Sequence, residues 1–263
     1  MPSDLWTRAE LREHLQDLGL SSGDAVLTHA ALRKVGPILG GPDSLIAAIL
    51  DVVGPQGTLL AYCDWQFEDE VLLNPALREH IPPFDPLRSR SIRDNGAFPE
   101  LVRTTPGAHR SGNPGASCAA LGGKAEWFTA EHAYDYGYGP QSPFGKLVAA
   151  GGKTMLIGAP RDTMTLLHHA EHVANFPHKR IRRYESPILV DGEVSWRWFE
   201  EFDTSEVPEG VSSEYFATIV SAFLDSGQGS EGRVGSAPTV LVDAQAMLDF
   251  AVSWMEQHLG RRD

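Results

Sequence analysis

Apolar residues recur along this chain at two spacings. TRAELREHLQDLG (7–19) puts Leu11, Leu15 and Leu18 on one helical face, and Thr7 and Glu10 have capping-box spacing, so a helix closed by Gly19 is expected. AVLTHA (25–30) has the short, mainly apolar pattern of a buried strand. A glycine-rich stretch (33–44) leads into an expected helix, SLIAAILDVVG (44–54), capped by Asp43 or Ser44. TLLAYC (58–63) then reads as the next strand after a Pro-Gln-Gly turn. Strand, loop, helix and strand together have the length of a parallel crossover.

Regularity fades from Asp64 to Asp94, where Pro75, Pro82, Pro83, Pro86 and the acidic run Glu68, Asp69, Glu70 suggest a long functional loop. A short helix is expected over 97–104, a strand over 118–122 and a helix near 123–131. A proline-started helix over 143–151 and a buried strand over 153–160 follow. The pattern then predicts a helix over 163–176 and a hairpin with strands near 181–190 and 194–202 around Asp191-Gly192-Glu193. It ends with a helix at 212–226, a strand at 238–242 and an amphipathic helix at 243–260. With no repeat and no linker, the expectation is one α/β domain spanning 1–263, a mixed central sheet flanked by helices.

Composition narrows the function. The chain has 263 residues, 42% hydrophobic and 22% charged, as expected for a protein with a full core. A formal net charge of −13 argues against nucleic acid as a partner, because phosphate neutralisation needs clustered Lys and Arg. The acidic excess serves either solubility or the attraction of a polycationic ligand to a cleft. Cys63 and Cys118 are the only cysteines, which points to a reducing compartment. The N-terminus lacks a signal-peptide pattern, and no run approaches the roughly 18 apolar residues of a membrane span. A cytoplasmic location is therefore expected.

The densest chemistry lies in TLLHHAEH (165–172). Leu166, Leu167, Ala170, Val173 and Ala174 have core spacing. Thr165, His168, His169, Glu171, His172 and Asn175 fall on the remaining surface, and Thr165, His168 and His172 lie close to one line. HHAEH matches the H-x-x-E-H zinc pattern, in which His168 and His172 would bind metal and Glu171 would activate water. A third ligand would then come from Glu185, Glu200 or Glu201. The other reading is metal-free: an imidazole titrating near neutrality is matched to proton removal, and needs a carboxylate to orient it. Cys63, beside Asp64, admits an acyl-enzyme route, although a free cysteine is more often core packing.

Several ordered blocks resemble the aminoglycoside 3-N-acetyltransferase family. They are LTHAALRKVGPILGG (27–41), GPQGTLLAYCDWQ (54–66), PPFDP (82–86), HRSGNPGAS (109–117), DYGYGPQSP (135–143), IGAPRDTMTLLHHAEHVA (157–174), KRIRRYESPIL (179–189) and EEFDTS (200–205). The resemblance implies an α/β fold distinct from the common N-acetyltransferase superfamily. It also implies acetyl-CoA as co-substrate, no metal, and acetylation of the 3-amino group of 2-deoxystreptamine antibiotics, which confers resistance. On that pattern His168 is the catalytic base, Glu171 its family partner, and Asp203 a carboxylate expected to buttress His168.

The cofactor loops fall on Ala31, Leu32, Arg33, Lys34, Val35 and Gly36 and on Arg110, Ser111, Gly112 and Asn113. For a polycationic substrate, Asp64, Glu68, Asp69, Asp135, Glu171 and Glu201 make an acidic wall. Two positions depart from the family: Ala31 stands where serine is usual, and Asn113 where many members carry histidine. A different amine acceptor, a zinc hydrolase and a non-catalytic binder of cationic sugars are the competing readings, and oligomeric state is open.

Overall fold

A computed structural model describes residues 5–65, 69–72, 74–177, 179–202 and 214–259. In chain order the elements are α1 (Arg8–Asp17), β1 (Ala25–Ala30), α2 (Leu32–Val35), α3 (Pro42–Val53), β2 (Thr58–Tyr62), α4 (Asp69–Leu72), α5 (Phe98–Thr104) and β3 (His109–Arg110). They continue with β4 (Cys118–Gly122), α6 (Ala125–Thr129), α7 (Pro143–Ala149), β5 (Lys153–Ile157), α8 (Leu166–Val173), β6 (Ile181–Val190) and β7 (Glu193–Phe202). The last are α9 (Tyr215–Asp225), β8 (Ser230–Val234), β9 (Ala237–Asp243) and α10 (Ala244–His258).

Seven strands form one mixed sheet in the order β3-β4-β2-β1-β5-β9-β8, as the expected fold class requires. The central β2, β1 and β5 are parallel, and β4 and β9 flank them antiparallel. Both faces are covered, so successive strand residues enter different cores. Leu27, Leu60, Ala120, Leu156, Val240 and Val242 join residues of α6–α10 on one face. Val26, Leu59, Ala119, Met155 and Leu241 join those of α1, α3 and α5 on the other.

The chain leaves β1 for β2 on one side, while β5 pairs on the other. This leaves a crevice beyond the carboxyl ends of the parallel strands, the place where open α/β sheets collect ligands. The β6–β7 ribbon is a separate two-stranded sheet on its own small core of Phe84, Tyr184, Ile188 and Phe199. Its two-residue turn puts both Asp191 (φ 51°) and Gly192 (φ 86°) in the left-handed region, the geometry that favours Asp-Gly in tight hairpins.

Some boundaries move. The α3 helix starts at Pro42 with Gly41 as cap, because the Ser44 hydroxyl donates to the Leu39 carbonyl (2.7 Å) instead of capping. The expected 163–176 helix shrinks to Leu166–Val173. A 3-10 turn at Arg161–Thr163 precedes it, Ala174 is extended, and Lys179 Nζ donates to the carbonyls of His172 and Ala174 at its end.

The N-terminal capping box is present: the Glu10 N–H donates to Thr7 Oγ1 (3.3 Å) and the Thr7 N–H to Glu10 Oε2 (2.9 Å). Thr7→Ala is expected to cost about 1 kcal/mol, read as a lower urea midpoint with an unchanged m-value.

Candidate active site

Gly158 (φ 62°) ends β5 so close to the first turns of the chain that a Cβ there would meet Lys34 Cβ at 2.9 Å. The backbone turns through Ala159 and Pro160 and delivers α8 to the carboxyl end of the sheet. Leu166, Leu167, His169, Ala170 and Glu171 are all buried in that helix. The expected division of its faces fails at four positions: Thr165, His169 and Glu171 are buried, whereas Val173 is 47% exposed. The helix is enclosed on more than one side, and its inward polar groups have partners. His169 Nδ1 donates to the Tyr138 carbonyl (2.6 Å).

His168 packs between the Tyr138 ring (centroids 4.8 Å) and the edge of Phe216 (4.9 Å). Its Nδ1 lies 2.6 Å from Glu171 Oε2, and the Tyr215 hydroxyl donates to Glu171 Oε1. The carboxylate therefore fixes the tautomer: Nδ1 carries the proton and Nε2 the basic lone pair. Burial disfavours the imidazolium, but Glu171, helped by Glu201 and Asp64, outweighs it and raises the His168 pKa above its ordinary value.

His168 lines two clefts. One, of about 810 Å³, lies at the strand ends among His29, Ala31, Tyr62, Asn95, Ala159, Pro160, Thr163 and Thr165. The other, of about 470 Å³, is enclosed by Tyr136, Gly137, Tyr138, Glu171, His172, Glu201 and Phe202. In the larger cleft, burial and the nearby His168 lower the His29 pKa to about 4, so it is neutral at physiological pH.

The expected acids separate. Glu201 lines the smaller cleft. Asp64 is pushed up to about 6 by burial, against the opposing effects of Asn95, Tyr62, Arg110 and His168. The Asn95 side-chain amide donates to it. Asp135 is exposed and contributes a backbone bridge to Glu200. Glu171 does not suit a substrate-facing role, since it is 1% exposed and both its oxygens are engaged within the protein. Glu68, the Asp69 side chain and Asp203 lie outside the described residues.

The cofactor loops separate as well. Ala31 lines the larger cleft, Leu32 is half-buried, Arg33 and Lys34 are exposed, Val35 is fully buried in the core, and Gly36 packs beside Ser236 and Trp6. Arg110 does not present a free cation. Its guanidinium bonds Ser117 Oγ (3.1 Å) and the carbonyls of Ser89 and Cys63, with the Phe84 ring 4.8 Å away. The Ser111 and Asn113 side chains are buried and bonded within the chain, and Gly112 is half-buried. Tyr138, Tyr215, Phe216, His29 and Asn95 had no assigned role in the sequence; of these, His29, within LTHAALRKVGPILGG, and Tyr138, within DYGYGPQSP, lay in motifs that could have pointed to them.

The zinc geometry does not assemble. Glu171, which would activate water, has both oxygens engaged by His168 and Tyr215, Glu185 pairs with Arg78 (2.8 Å) and Glu200 with Arg183 (3.2 Å). Among the described residues no three His, Cys, Asp or Glu side chains converge on a metal position. Cys63 is fully buried, and burial raises its pKa to about 11, which suits packing rather than nucleophilic attack.

The model of the family described as aminoglycoside 3-N-acetyltransferase matches residues 27–256. The chain belongs to that family. It is 42% identical to aminoglycoside N(3)-acetyltransferase III of Pseudomonas aeruginosa, over 97% of this chain and 95% of that protein. Among solved structures it resembles AAC-IIIb in a binary complex with CoASH (TM-score 0.92, 55% identity, 98% of this chain and 99% of the other). It also resembles AAC-VIa bound to sisomicin (TM-score 0.90, 35% identity, 96% and 98%). Family membership replaces the hydrolase alternative with acyl transfer, and no helix of the described residues is long and apolar enough to cross a membrane.

Glu171→Gln removes the largest of the charges that raise the His168 pKa and leaves burial, which lowers it, opposed only by Glu201 and Asp64. The His168 titration is expected to move to lower pH than in the wild type when followed by NMR of the ring Cε1–H. Cys63→Ala is expected to retain acetyl transfer within about threefold while losing roughly 1–2 kcal/mol of stability from the cavity, as measured by steady-state rates and denaturant unfolding.

Proposed function

We propose that the chain transfers the acetyl group of acetyl-CoA to the 3-amino group of a 2-deoxystreptamine aminoglycoside, with His168 as general base and Glu171 as the carboxylate that orients it. The observation that carries this reading is the place of His168 at the junction of two clefts, with Nδ1 bound to a buried carboxylate. The larger cleft, at the strand ends, takes the thioester. The smaller one, with Glu201 in its wall, takes the cationic sugar.

Chemistry follows from that placement. An ammonium has no lone pair and cannot attack a thioester, so the 3-amino group first gives one proton to solvent and reacts as the neutral amine, which must lose a further proton as the new bond forms. His168 Nε2 accepts it while the nitrogen bonds to the acetyl carbon. The carbon–sulfur bond then breaks, and the departing thiolate takes that proton from His168 to become free CoA, which regenerates the base. The imidazolium formed in between is stabilised by Glu171, whose second oxygen is held by the Tyr215 hydroxyl. Transfer is direct, in a ternary complex, which agrees with the buried, high-pKa thiol of Cys63.

A thiol-release assay with acetyl-CoA and several 2-deoxystreptamine drugs tests the reading. His168→Ala is expected to lower kcat by about 10²–10⁴-fold, and His172→Ala far less, with no response to chelators. Folded wild-type protein that turns over none of the drugs would overturn the assignment.

A further inference from the structure

From the last residue of β3 the chain carries RSGN (110–113), and the segment 132–138 carries three wall residues of the smaller cleft, Tyr136, Gly137 and Tyr138. A continuous hydrogen-bond relay joins the two. The Cys118 N–H donates to Ser111 Oγ (3.0 Å), Ser111 Oγ lies 2.9 Å from His132 Nδ1, and His132 Nε2 lies 2.6 Å from the Gly137 carbonyl oxygen. A carbonyl only accepts, so Nε2 carries the proton, Nδ1 is a bare acceptor and the Ser111 hydroxyl donates to it. Each atom in the relay has one possible role. Burial lowers the His132 pKa to about 4, which keeps this neutral tautomer in place at physiological pH.

A second fastening lies close by. Asn113 Nδ2 donates to the Ala133 carbonyl (2.8 Å), while its Oδ1 accepts from the N–H groups of Gly115 and Ala116 (3.0 and 3.1 Å). Gly137 packs directly against it, since a Cβ there would meet Asn113 Nδ2 at 2.8 Å. The wall is therefore fixed to the sheet at Ala133 and at Gly137. Immediately beyond, the Tyr138 ring packs at a tilt against His168 and its carbonyl accepts from His169.

From these contacts we infer that His132 is a positioning residue for the aminoglycoside side of the site, holding the Tyr136–Tyr138 wall through Gly137. The serine of the RSGN motif serves that wall rather than the co-substrate. This rests on the reading that the smaller cleft takes the aminoglycoside.

Steady-state kinetics with each substrate varied in turn test it, because KM does not depend on the fraction of enzyme that is folded. His132→Phe keeps the bulk and loses both bonds; it is expected to raise KM for the aminoglycoside about tenfold, the scale of one well-placed hydrogen bond, with KM for acetyl-CoA nearly unchanged. His132→Gln, whose side-chain amide can still reach Gly137, is expected to recover most of the effect, and His132→Asn is not. Ser111→Ala breaks the far end of the relay and should shift the same KM by less; it carries the comparison if His132→Phe does not fold. An unchanged aminoglycoside KM, equal rises in both KM values, or a rise for acetyl-CoA alone would overturn the inference. Glu201→Gln separates the two readings: if it leaves the aminoglycoside KM untouched, the cleft assignment fails and the inference falls with it.

Discussion

A buried carboxylate governs the arrangement of this site. Glu171 is almost wholly removed from water, and a buried charge lacking partners would cost several kcal/mol. Two partners meet that demand: the Tyr215 hydroxyl on one oxygen and His168 Nδ1 on the other. Tyr215 and its neighbour Phe216 act together, one on the carboxylate and one on the edge of the His168 ring. The α9 helix thereby links the core to the His168 ring. Satisfying Glu171 and aiming His168 are one structural event.

The sheet supplies the place for that event. Parallel β2, β1 and β5 end together, and the loops that follow β1 and β5 bring Ala31, Ala159, Pro160 and Thr165 around one cleft. The antiparallel β4 carries no cleft residue of its own in β-structure, yet its edge anchors the Ser111 relay. Two kinds of strand thus divide the work: the parallel ones open the crevice of the larger cleft, and the antiparallel flank braces the segment that walls the smaller one.

Much of this was legible where pattern and local chemistry agree. The Thr7 and Glu10 capping box, the apolar runs of β1, β2, β4 and β5 and the Asp191-Gly192 turn each have a local cause, and each appears in the structure. β8 escaped because it is an edge strand of Ser230, Glu231, Gly232 and Arg233, exposed except at Val234, and so has no apolar signal. Placing His168 on the helix that follows a strand was possible from spacing, and so was the i, i+3 relation to Glu171. Glu171 lost its expected substrate role because the sequence does not reveal Tyr215, 44 residues away, which encloses it. Arg110 looked like a phosphate ligand for the same reason: its three partners come from Ser117, Ser89 and Cys63, brought together only by the fold.

The net charge of −13 takes on meaning only beside this geometry. Glu171, Glu201 and Asp64 all act to keep His168 protonated, which opposes its use as a base. If the smaller cleft takes the aminoglycoside, as proposed, the polycation has the opposite effect, because its positive charge offsets these acids at the same imidazole. The acidic wall and the basic nitrogen are then not in conflict. On the proposed reading, the wall attracts the cation, the cation offsets the field that holds the proton on His168, and Glu171, buried behind the ring, still stabilises the imidazolium that the proposed reaction forms. A site with fewer acids would have a more available base in the empty enzyme and less attraction for the substrate that needs it.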